Sequence, residues 1–230
     1  MLPQTARRLL HLIFAFLFAL SGVAFAAPPR RVAVASLFDN TLHKIHVGVT
    51  VFSNTYESKD VADWRVPETS EADLVTLIKQ KGIGEEVAVL PQPGARARWD
   101  NRGVEQQLIS AAREAGFDVL VLISPTSYDN APFLKPGYGV FASGGMFGPP
   151  PACPYGLFMV EVYRTADADR IDWRWGFSSW GDGPCVGLRS VPWKDTLAEY
   201  TDEDWTKVKE AIHKRIVDGM TRALDGLDFE

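Results

Sequence analysis

Cysteine and histidine are scarce in this chain, with 2 Cys and 4 His in 230 residues. Two cysteines with no histidine close by make neither a zinc site nor a disulfide-dense scaffold. No Gly-x-Ser-x-Gly nucleophile elbow occurs. Basic charge is also short: removing Arg7 and Arg8, which belong to the leader described below, from 24 basic residues leaves 22 against 29 acidic ones. A mature chain near −7 is excluded as a general nucleic-acid binder. Beyond Ala27 no apolar run approaches the roughly 18 residues that a membrane span needs. With 46% hydrophobic and 23% charged residues, the composition is that of a folded globular protein.

The N-terminus carries an address. Met1 to Arg8 is short and basic, Leu9 to Leu20 is apolar apart from His11, and Ala24-Phe25-Ala26 offers small residues at the cleavage positions. This order reads as a secretory signal peptide over residues 1–26, cleaved after Ala26, leaving one domain over 27–230 in the periplasm or outside the cell. Export gives the cysteines meaning, because an oxidising compartment favours pairing Cys153 with Cys185.

Arg31 to Leu37 and the alternating Lys44 to Ser53 read as two strands joined at Asp39-Asn40 into an antiparallel hairpin. Ser70, with Asp73 three residues on, predicts the start of a helix that stops at Gly82. Glu86 to Leu90, a helix over Val104 to Ala115, and the apolar Asp118 to Ile123 form a strand, helix, strand unit with parallel strands. Residues 124–156 hold seven of the 15 prolines and six glycines and read as a loop, with a short strand at Tyr138 to Ala142. Gly156 to Thr165 and Arg170 to Ser178 form a second hairpin. The last helix starts at the N-cap Thr201, with Asp204 completing a capping box. The fold class is therefore α/β (α+β): a mixed sheet of six or seven strands with three helices.

The segments Val87 to Leu90, Leu108 to Gly116, Val119 to Ile123, Phe158 to Thr165, Asp167-Ala168-Asp169, Ile171-Asp172-Trp173 and the helix from Thr201 succeed one another in a recognisable pattern. It resembles that of small periplasmic α/β domains of the TolB N-terminal, CsgG and LpoB type, over residues 86–227. The leading hairpin and the long Gly/Pro-rich loop depart from that pattern. The resemblance implies an exported, non-catalytic envelope module that binds or assembles with a protein partner, without a cofactor.

Several residues are candidates for a site. The loop from Lys135 to Tyr155 sets Tyr138, Phe141, Met146 and Phe147 among Gly and Pro, which points to partner contact, with packing back over the sheet as the competing reading. Asp39, His43 and His46 supply the parts of a metal-dependent phosphoesterase if His43 still lies in the turn; on a strand, His43 and His46 point to opposite faces. Arg96, Arg98 and Arg102 around Trp99 suggest an anion or glycan contact, against a plain solvated loop. Trp173, Trp175 and Phe177 share one strand face, either under the last helix beside Trp205 or as a platform for sugars. His213 reads as a rim residue of that helix.

Overall fold

The computed structural model describes residues 31–50, 53–91, 103–144, 152–177 and 191–229. The signal segment, Arg96, Arg98, Trp99, Arg102, Met146, Phe147 and Cys185 lie outside the described residues. In chain order the elements are β1 (Arg31–Ser36), β2 (Thr41–Val47), β3 (Thr55–Asp60), α1 (Val66–Gln80), β4 (Glu86–Val89), α2 (Val104–Glu114), β5 (Val119–Pro125), β6 (Gly137–Ser143), β7 (Ala152–Arg164), β8 (Arg170–Trp175) and α3 (Asp202–Gly226).

The strands form one mixed sheet in the order β3-β2-β6-β7-β5-β1-β4, with β8 also paired to β7. The 13-residue β7 joins two half-sheets. Its first part, Ala152 to Leu157, pairs with β6, and its second part, Phe158 to Arg164, pairs with β5. Among the described residues the sheet has eight strands rather than the six or seven expected, because the polar, exposed β3 carries no apolar alternation to announce it.

The expected β1–β2 hairpin does not form. β1 pairs in parallel with β4 and β5, and β2 pairs in parallel with β6 and antiparallel with β3. The Asp39-Asn40 turn does not reverse the chain. It carries it from one half-sheet into the other in the same direction, with Asp39 Oδ1 accepting from Thr41 N at 2.8 Å. Residues 124–156 likewise hold the whole of β6 and the start of β7 instead of one long loop.

One face of the sheet is covered by α1 and α3, which bury Val34, Val121, Val160 and Val162 against Leu74, Ile78, Val208, Ile212 and Met220. On the other face α2 covers only the β1–β5 half, over Ala33, Leu120 and Leu122. α1 begins at Val66, one turn before the expected Ser70, because Pro67 is well tolerated in a first helical turn. Ser70 is inside the helix, its hydroxyl donating to Val66 O at 2.7 Å. The capping box of α3 forms as the sequence indicates, with Asp204 N donating to Thr201 Oγ1 at 3.2 Å. No helix among the described residues is long and apolar enough to cross a membrane.

Candidate functional site

The half of the sheet that α2 leaves uncovered carries a band of aromatic rings. Alternation along β2, β6, β7 and β8 brings Ile45, Phe141, Tyr155, Leu157 and Trp175 to one face, and the chain between β5 and β6 folds over them with Tyr128, Ala131, Phe133 and Leu134. Phe133 stacks on Phe141 at 5.1 Å and 19°. Tyr128 meets Trp175 and Phe177 edge-on at 5.4 and 4.8 Å, and Trp175 in turn meets Trp173 at 5.7 Å.

The centre of the band is closed and its two ends are open. At one end Trp173 is 37% exposed; at the other, Tyr56 of β3 is 51% exposed. Tyr56 stands directly opposite Ile45 in the ladder, so it shares the aromatic face, with the Lys135 ammonium 5.9 Å from its ring centre. Directly opposite Trp173 in the ladder stands Glu161, a buried carboxylate that accepts from Tyr163 Oη at 3.0 Å and from Arg170 Nη1 at 2.9 Å. Burial pushes the Tyr163 hydroxyl above its ordinary pKa, and the Glu161 and Glu105 carboxylates add to that shift. The strand neighbour of the exposed indole is thus a carboxylate whose bonds are satisfied, as buried charge requires.

The residues singled out from the sequence are distributed as follows. Trp173, Trp175 and Phe177 do share a region, but they lie on the face away from α3; Trp205 packs instead with Trp64 and Tyr200. Tyr138 is not an exposed loop residue. It is fully buried between Phe38 and the helices, its hydroxyl donating to Asp39 O at 2.9 Å, because β6 alternation turns it to the face opposite Phe141. Phe141 is half-buried in the band. Cys153 is fully buried, directly opposite Phe141 in the ladder.

Asp39, His43 and His46 do not converge. Both histidines are within β2, and the cross-strand partners place His43 on the aromatic face and His46 on the other, where its ring meets Trp193 and its Nε2 lies 2.8 Å from Gly144 O. Burial lowers the pKa of His43; the charge of Asp39 opposes this and that of Lys135 reinforces it. Among the described residues no group of three or more His, Cys, Asp and Glu side chains is placed to hold a metal ion.

Sequence reading missed Tyr56, Tyr128 and Phe133, which stand in polar or Pro-rich stretches without periodicity. It also missed Lys44, an apparently ordinary strand lysine that is 2% exposed.

No protein-family model matches this sequence, and no curated protein does. Among solved structures the chain is similar to a Xanthomonas campestris protein of the family-model DUF330, at 10% identity over 89% of this chain and 86% of that one, with a TM-score of 0.39. It is similar to the PelC dodecamer from Paraburkholderia phytofirmans at 12% identity, over 84% and 88%, with a TM-score of 0.29. The LpoB C-terminal domain from Salmonella enterica matches at 11% identity over 66% and 84%, with a TM-score of 0.19.

Proposed function

We propose that this chain is an exported cell-envelope module that acts by binding a protein partner, and that the aromatic band from Tyr56 to Trp173 is its contact surface. The leader over residues 1–26 supports the export. The observation that carries the binding role is the pair of exposed rings at the ends of a band on the part of the sheet that no described helix covers. Tyrosine and tryptophan there supply large contact area for little ordering cost, which is the chemistry of interface anchors. Disulfide pairing of Cys153 with Cys185, which would anchor the band at its centre, belongs to the same proposal.

The test is site-specific photocrosslinking. A benzophenone amino acid placed at Trp173 or at Tyr56 in the producing cells should capture the same envelope protein, and one placed at the exposed Lys79 of α1 should capture none. Trp173→Ser should abolish co-purification of that protein while leaving thermal stability nearly unchanged. Equal crosslinking from all three positions would overturn the proposal.

A further inference from the structure

A second concavity lies on the opposite face of the molecule, between α1 and α3. The two helices run parallel, with Trp64 beside Trp205, Asp73 bonded to His213 at 2.7 Å, and Lys81 paired with Asp225. Between the tryptophan pair and the Asp73–His213 bridge the helices part to leave a cleft of about 440 Å³. Small-molecule sites commonly span about 300 to 1,000 Å³.

Trp64, Val66, Ile212 and Ile216 give the cleft apolar walls, and Thr69, Ser70 and Thr206 are also on its lining. The hydroxyls of Ser70 and Thr206 already donate to Val66 O and Asp202 O of their own helices, so toward a ligand they act as acceptors. The charges are arranged more tellingly. Along α3, Lys207 pairs with Glu203, Lys214 with Asp218, and His213 with Asp73. Lys209 and Glu210, both on the cleft lining, form no ion pair with any described residue. Glu210 even forgoes Lys214, its favourable i,i+4 neighbour. One cation and one anion without an ion-pair partner among the described residues therefore line the same apolar cleft.

We propose that this cleft binds a small zwitterion with an apolar side chain: a free amino acid or short peptide. Its ammonium faces Glu210, its carboxylate faces Lys209, and its apolar side chain enters between Trp64 and Ile216. A purely anionic amphiphile, such as a fatty acid, would meet Lys209 but leave Glu210 without a counter-charge and gain less. The site is separate from the aromatic band, so it stands or falls independently of the protein-partner proposal.

Titration calorimetry of the purified mature chain with L-leucyl-L-phenylalanine tests it. Saturable one-to-one binding is expected, weakened about tenfold or more, the range of a charged hydrogen bond, by N-acetylation or C-terminal amidation of the dipeptide. Glu210→Gln should remove the discrimination against the acetylated peptide, and Lys209→Gln that against the amide; both positions are exposed, so both variants should fold. Thr206→Trp should fill the cleft and abolish binding with an unchanged circular dichroism spectrum. No binding by the unsubstituted protein, equal binding of octanoate, or discrimination that survives both charge variants would overturn the assignment.

Discussion

Lys44 shows how one charged side chain can organise a segment distant in sequence. It is 2% exposed, its ammonium is bonded to Glu57 and donates to Asp195 O at 2.7 Å, and the Trp193 ring lies 4.6 Å away. Glu57 also accepts from Leu197 N at 3.1 Å, so the pair fixes the segment leading into α3 against β2 and β3. Tyr200 closes the same segment by donating to Pro192 O, and burial pushes its hydroxyl up to about 12. Removing the lysine strands these acceptors, which is the costly way to break a buried pair. Lys44→Met should therefore lower stability by about 2 kcal/mol, below the roughly 3 to 5 of a fully buried pair, because the Glu57 side chain is 31% exposed. Urea unfolding at pH 7 measures this.

The pH dependence of that loss has a definite sign. Burial works against the Glu57 charge, but the hydrogen bonds from Lys44 and Leu197 and the charge of Lys44 outweigh it and hold the carboxyl below its ordinary value of 4.5. A depressed carboxylate contributes stability that is present above its unfolded pKa and disappears as pH falls through the folded one. The difference between the parent and Lys44→Met should accordingly be full at pH 7 and shrink below pH 4.5.

At the scale of elements, α3 rests on β8 by way of two glycines. A Cβ at Gly219 would lie 2.3 Å from Gly176 O and 2.8 Å from the Phe158 ring, whereas one at Gly226 would meet the flexible Arg174 side chain at 3.3 Å. Gly219→Ala should therefore destabilise by about 2 kcal/mol in spite of alanine's better helix propensity. Gly226→Ala should change stability by less than about 1 kcal/mol, and thermal melts of the two variants make the comparison. The same helix was legible in advance, since its capping box and apolar stripe are local signals. The β7–β8 hairpin was legible for the same reason.

What local pattern does not contain is which strand stands next to which. β1 and β2 each look like half of a hairpin, yet β1 pairs Val32 with Val119 and β2 pairs Leu42 with Tyr138, far away in the chain. That error placed the ends of β2 wrongly and made the Gly/Pro-rich stretch look like a free loop. Of the candidate site, Phe141, Trp173, Trp175 and Phe177 were visible as rings on strands, but their common face depends on how β6, β7 and β8 are aligned. Tyr138 and Phe141 are three apart in sequence, and only the strand register separates a core ring from a band ring.

Across the whole molecule, the proposed export and the proposed disulfide can be tested together. Peptide mapping of the natural protein under non-reducing conditions should find Ala27 as the first residue and a peptide linking Cys153 to Cys185. Such a bridge would close a loop of about 30 residues and contribute about 3 to 4 kcal/mol on the chain-entropy view. Both thiols alkylating without reduction would refute the bridge and leave the address standing.

The position of β7 in the chain has a consequence for synthesis. The β1–β5 half-sheet and the β2–β6 half-sheet are joined by a strand that ends at Arg164. Until that residue has left the ribosome the two halves lack their complete common member: β7 meets β6 locally, from Ala142 opposite Ala152, but its pairing with β5 runs from Pro125 opposite Phe158 to Val119 opposite Arg164, and such longer separations slow folding. A nascent chain built this way completes its sheet only after most of its length has been made.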